Sequence, residues 1–261
     1  PHFIYLPDLQ LFANGGFPYT RMADLAETAI VLPEAVNEDE TEAYLTLMGR
    51  FGNATGYPAF RFKLGRAADI DSFSGHDILV IGSAGNQPVL EQWAEYMPLT
   101  IANGQTKLRI LGPIERLRAK WEGRDLEGAA KHAGQMIVEA GHSLGAIMSF
   151  ESPLSSKRTV VVLTAGDSKR MKEVATLFTS AGKPQFIRGD LVLLNGDELN
   201  HYSLGAPYSV GRLPFLMALR WWFSKQPFIL IVLCVIAAVL IATVAYRLLR
   251  RMAISRKEGH S

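Results

Sequence analysis

The pentapeptide Gly141-His142-Ser143-Leu144-Gly145 satisfies G-x-S-x-G, the turn on which α/β-hydrolases raise a nucleophilic serine between a strand and a helix. Acyl transfer at Ser143 would need a histidine base and an acid later in the chain. His201, beside Asp197, is the histidine that comes next ahead of an apolar C-terminal run. The flanks argue against the elbow. The residues before Gly141 look helical, and the run after Gly145, AIMSFESP, is strand-like and ended by Pro153. A glycine turn after a helix is the competing reading.

Other chemistry-bearing patterns are weaker. Gly82-Ser83-Ala84-Gly85-Asn86-Gln87 is a glycine-rich loop before a helix, suited to a small ligand or simply to a tight turn. It lacks the Lys-Ser/Thr of a P-loop and the full dinucleotide fingerprint. A flavin mononucleotide phosphate would need a Ser/Thr/Gly loop after the first strand. That loop carries Glu34, Glu38, Asp39 and Glu40 and no glycine, and four carboxylates repel a phosphate. No cofactor is expected. Asp167 or Ser168 reads as a helix cap. The six histidines show no close ligand pairing, which points away from a metal. Arg247 and Arg251 form an R-x-x-x-R like that of some cyclic-di-GMP receptors, but arginines flanking a membrane need no further role. Trp93, Tyr96 and Trp121 could stack on a sugar ring or pack on the core.

The elements that must hold these residues divide into a sheet and a membrane segment. Lys and Arg number 27 against 25 Asp and Glu among 261 residues, a net charge of +2, so a surface spread for nucleic acid is excluded. A single cysteine, Cys234, excludes an internal disulfide and a cysteine zinc site. Phe228 to Tyr246 contains no charged residue, and nineteen residues of helix reach about 28 Å, enough to cross a bilayer. Arg247, Arg250, Arg251, Arg256 and Lys257 come after it, which places the tail in the cytoplasm and the rest outside. For a bacterial inner membrane the outside is the periplasm. Just before, Leu213 to Lys225 reads as an amphipathic helix lying in the outer interface. Leu213, Phe215, Leu216, Leu219, Trp221, Trp222 and Phe223 supply its apolar and aromatic side chains, and Pro227 separates it from the span. A single longer helix kinked at Pro227 is the alternative. Within the span, Ala237, Ala238, Ala242 and Ala245 permit close helix approach, so these alanines and the interfacial segment are the expected partner and membrane contacts.

Between residues 28 and 205 strand and helix signals alternate. Strands are expected at Thr28–Leu32, Asp77–Gly82, Ala146–Glu151, Thr159–Thr164 and Gly189–Leu194, with an extended stretch at Ala59–Leu64. Helices are expected at Glu38–Phe51 after an Asn37 cap, at Pro88–Tyr96, around Glu115–Trp121 and Leu126–Glu139, and at Ser168–Ala181. The pattern predicts an α/β fold, a mostly parallel sheet with helices on both faces. Ala146–Glu151 and Thr159–Thr164 are close enough to form an antiparallel hairpin within it. Starting at Pro1 without a signal peptide, the chain is expected to be the C-terminal piece of a longer secreted precursor.

Asn14-Gly-Gly-Phe-Pro-Tyr-Thr-Arg21, Asp24-Leu-Ala-Glu-Thr-Ala-Ile-Val-Leu-Pro33, Leu47-Met-Gly-Arg-Phe-Gly-Asn-Ala-Thr-Gly-Tyr-Pro58 and Asp77-Ile-Leu-Val-Ile-Gly82 carry a resemblance. With the helix-plus-anchor ending, they resemble the bacterial cellulose synthase B subunit over nearly the whole chain. The resemblance implies the end of a β-rich domain and a linker at 1–27, and a flavodoxin-like periplasmic domain at 28–205. An interfacial helix segment at 206–226, a transmembrane helix at 227–247 and a basic cytoplasmic tail at 248–261 would complete it. It implies a non-catalytic, single-pass inner-membrane subunit that supports the catalytic synthase subunit and guides the glucan. Its partners would be that subunit and the lipid bilayer, with further copies of itself and the nascent β-glucan as candidates. A periplasmic, membrane-anchored serine hydrolase using GHSLG is the alternative function.

Overall fold

A computed structural model describes residues 4–5, 8–102, 105–109, 112, 116–117, 119–120, 123–180, 182–205, 208–211 and 234–247. The chain forms two units, residues 2–211 and residues 212–261 together with Pro1.

The first unit is built on a seven-stranded sheet. Its strands are β2 (Thr28–Val31), β3 (Lys63–Gly65), β4 (Asp77–Ile81), β7 (Gly145–Glu151), β8 (Thr159–Ala165), β9 (Leu191–Asn195) and β10 (Glu198–Tyr202), in the order β10-β9-β7-β8-β4-β2-β3. Strands β3, β2, β4 and β8 are mutually parallel; β7 runs antiparallel to β8 and β9, and β10 closes a hairpin on β9. The expected hairpin of β7 and β8 is present, paired from Gly145↔Ala165 to Glu151↔Thr159. Two smaller pairs lie apart from this sheet: β1 (Ile4–Tyr5) with β11 (Ser209–Val210), and β5 (Leu99–Ala102) with β6 (Gln105–Leu108).

Every residue of β2, β4 and β8 is buried, which is why these segments read as unbroken apolar runs: both faces are covered. On one face lie α1 (Leu9–Gly15), α2 (Glu38–Thr55) and α5 (Ser168–Thr176), supplying Phe12, Leu47, Phe51, Met171 and Val174. On the other lie α3 (Val89–Gln92) and α4 (Leu126–Ala140), supplying Leu90, Ala133, Met136 and Ile137. Asn37 caps α2 as expected: its side chain accepts from the Glu40 amide at 2.8 Å, and the Glu40 carboxylate accepts from the Asn37 amide at 3.2 Å.

The stretch expected as the end of a preceding domain behaves differently from Asp8 onward. Leu9, Phe12, Ala13, Tyr19 and Leu25 are buried in the α2 face of the sheet. The Tyr19 hydroxyl donates to the Ile78 carbonyl at 2.7 Å and accepts from the Val161 amide at 2.9 Å, bridging β4 and β8. Apolar side chains at Leu9, Phe12 and Ala13 give α1 one buried stripe, so these residues belong to the core of the sheet domain rather than to a linker.

Of the second unit, residues 234–247 are described and form a helix with every side chain exposed. Among the described residues no helix is long and apolar enough to cross a membrane; these helical residues number fourteen. Residues 228–233 of the expected span and the whole expected interfacial helix, residues 213–225, lie outside the described residues.

Candidate functional site

Open α/β sheets bind ligands at the C-terminal ends of their strands, where the strand order reverses. Here the chain leaves β2 for β3 on one side and returns to β4 on the other, so the crevice lies between the ends of β2 and β4. It is lined by the loop before α2 and the loop Gly82–Gln87.

Glu40, in the first turn of α2, fills this position. It is fully buried. Its Oε1 accepts from the Ser83 amide and the Ser83 hydroxyl, each at 3.0 Å, and its Oε2 accepts from Asn86 Nδ2 at 3.2 Å. Asn86 Nδ2 also donates to the Ala35 carbonyl at 2.8 Å, tying the two loops together. Four further loop amides are also taken by backbone carbonyls. Gly82 donates to Leu163 O, Ala84 to Ala165 O, and Asn86 and Gln87 to Ser83 O, while the Gln87 side chain donates to Ile81 O. Five amides of this loop, those of Gly82, Ser83, Ala84, Asn86 and Gln87, thus have protein acceptors, one of them a carboxylate. The carboxylate of Glu40 thus joins the loop before α2 to the loop after β4.

The G-x-S-x-G serine lies in the reverse of an elbow. Helix α4 precedes it, Gly141–Ser143 form a 3-10 turn, and β7 comes after. Gly141 has φ of +55° and ends α4, its amide donating to Ile137 O. Ser143 is exposed, and none of the hydrogen bonds among the described residues reaches its hydroxyl. His201 is exposed on β10, the strand at the outer edge of the sheet. A strand before the serine and a helix after it are what aim a nucleophile, and both are missing here.

Other sequence candidates resolve individually. Asp167 caps α5, accepting from the Arg170 amide at 2.7 Å. Trp93 is buried edge-on against Phe150, with ring centroids 6.3 Å apart, so it is a core residue. Tyr96 is exposed, and Trp121 lies outside the described residues. Among the described residues no three histidine, cysteine or acidic side chains gather around a common point. Of the expected partner contacts, Leu213, Phe215, Leu216, Leu219, Trp221, Trp222 and Phe223 lie outside the described residues. Ala237, Ala238, Ala242 and Ala245 lie on the described helix, exposed, and the last three have i, i+4, i+7 spacing on one face.

One surface feature escaped the sequence reading. Tyr57 and Phe60, in the connection from α2 to β3, are exposed by 49% and 62%, and their rings lie 5.9 Å apart. A signal for it was available in the string Tyr57-Pro58-Ala59-Phe60-Arg61-Phe62, since three aromatics in six residues exceed what a short connection needs for packing.

A mixed, mostly parallel α/β sheet covered on both faces, with the loops at the ends of β2 and β4 tied together by a buried carboxylate, is the class of domain that the fold defines. The family described as "Cellulose synthase BcsB, second FD domain" matches residues 2–163, and the chain belongs to that family. It is 33% identical to a "Cyclic di-GMP-binding protein" of Pseudomonas fluorescens over 97% of this chain and 34% of that protein. It is 35% identical to "Cellulose synthase 2" of Novacetimonas hansenii over 98% of this chain and 16% of that protein. A "Cyclic di-GMP-binding protein" of Xanthomonas axonopodis pv. citri is 34% identical over 98% of this chain and 32% of its own length. The chain thus spans about a third or less of each of these relatives.

Proposed function

We propose that this chain is a non-catalytic part of a cellulose synthase accessory subunit, held in the bacterial inner membrane by its C-terminal helix. The sheet domain stands in the periplasm, the basic tail in the cytoplasm, and the C-terminal helices support the catalytic synthase subunit while the outer domain guides the glucan. The observation that carries the reading is the family match over residues 2–163, joined to a crevice whose Ser83 and Asn86 donors are taken by Glu40. Two of the named relatives are called cyclic-di-GMP-binding proteins. In the proposed topology only the tail after residue 247 meets a cytoplasmic nucleotide, so no nucleotide site is assigned to the sheet domain.

The C-terminal helix supports the anchor. Val235, Ile236, Val239, Leu240, Ile241 and Val244 are all at least half exposed, and a helix apolar on every side is at home in lipid or against other helices, not in water. The alanine face is the assigned contact with the synthase. Ala238→Leu with Ala242→Leu tests it in membranes containing the catalytic subunit. The expected result is loss of both glucan synthesis and co-purification; full retention of both would defeat the contact.

A further inference from the structure

The connection between α2 and β3 presents two aromatic rings to solvent from a fixed loop. Helix α2 ends at Gly56, which has φ of +64° and donates to the Gly52 carbonyl. Thr55 Oγ1, which donates to the Phe51 carbonyl at 3.0 Å, accepts from the Tyr57 amide at 3.3 Å. On the far side, the Arg61 amide donates to the Asp24 carbonyl at 3.1 Å, and its guanidinium pairs with the Asp24 carboxylate at 2.9 Å. Pro58 stiffens the piece between. The loop is therefore pinned at both ends, and the rings are exposed without being loose. Leu64, 53% exposed, continues the apolar surface onto β3.

Water disfavours such a patch, and something of matching chemistry would cover it. A second copy of this chain is a poor fit. β3 is the edge of the sheet, but it is three residues long and carries an exposed Lys63, features that discourage edge-to-edge pairing. Of the two exposed cations on this segment Arg61 is already paired with Asp24, which leaves the single charge of Lys63, less than a polyanion needs. A neutral pyranose chain fits better. Its sugar rings present C–H bonds on their faces and hydroxyls at their rims. Two aromatic faces inclined at 44° to each other take the former from successive sugar units, and the Tyr57 hydroxyl and Lys63 amine can take the latter.

We infer that Tyr57 and Phe60 form a stacking platform for a neutral β-linked glucan chain. The inference rests on the proposed function and gives it a named contact on the sheet domain.

Affinity electrophoresis of the full chain in detergent, through gels containing soluble hydroxyethyl cellulose, tests it. The chain is expected to be retarded. Tyr57→Ala with Phe60→Ala should weaken retardation by about tenfold, as loss of paired aromatic anchors does, while Tyr57→Phe with Phe60→Trp retains it. Absence of retardation, or equal retardation of the alanine variant, overturns the platform. A change in sedimentation of the alanine variant with retardation unchanged also overturns it, in favour of self-association. Co-purification with the catalytic synthase subunit, measured in parallel, reports on the proposed function independently: an unretarded chain that still co-purifies sinks only the platform.

Discussion

Glu40 shows what one side chain decides in this domain. Deleting its carboxylate leaves the Ser83 amide, the Ser83 hydroxyl and the Asn86 side chain without their shared acceptor in a closed crevice. Glu40→Ala is expected to lower stability by about 1–3 kcal/mol, read as a shift of the urea midpoint at constant slope. Glu40→Gln keeps one acceptor oxygen and is expected to fall between. An unchanged midpoint in both would mean that the two loops are held by other contacts. Glu40 was legible in the sequence as one of four acidic residues and as the third position of a capping box. Its contact with Ser83 was not legible, because it joins residues 43 positions apart and depends on β2 and β4 lying side by side. Tyr57 and Phe60 were similarly readable as aromatics, but their exposure arises from how Asp24 and Thr55 pin the loop.

At the scale of elements, the buried strands and the capped helix announce themselves. TAIV, DILVI and TVVVLTA are unbroken apolar runs because both faces of the sheet are covered, and Asn37 with Glu40 marks where α2 begins. Strand β10, with the sequence ELNHY, gives no such signal because an edge strand half in solvent has no apolar run to display. Helix α1 is hard to read because seven residues give barely two turns of periodicity. The end of the sheet at β9 and β10 is closed by a clasp. Asp190 accepts from the Leu204 amide at 2.8 Å and the Gly205 amide at 2.7 Å, fastening the chain that leaves β10 toward β11. Gly189, beside it, has φ of +69°, and any side chain there would strike the Tyr202 carbonyl. Burial pushes the Asp190 carboxyl up to about 6, against the pull of those two amides. Between about pH 4 and 6 the folded protein thus holds a proton that the unfolded chain has released. The contribution is complete below about pH 4 and is lost as pH rises through about 6, a change on the order of 3 kcal/mol. Asp190→Asn cannot titrate, so its stability should lack this fall when unfolding is measured from pH 4 to 7. A parallel pair of curves would assign the titration elsewhere.

For the molecule as a whole, the part most readable from sequence is the alternation of strands and helices that builds the sheet domain. The parts least readable depend on long-range placement. The family resemblance implies a domain end and a linker at residues 1–27, yet Tyr19 reaches between β4 and β8, 59 and 142 residues away. The sheet domain binds its own carboxylate in the crevice, and the described helix at residues 234–247 is exposed on every side, as the proposed membrane-held scaffold requires. The claim that this scaffold serves a cellulose synthase is tested most directly by glucan synthesis from UDP-glucose in membrane vesicles containing the catalytic subunit, with and without this chain. Synthesis that depends on the chain is predicted; equal synthesis in its absence would contradict the account.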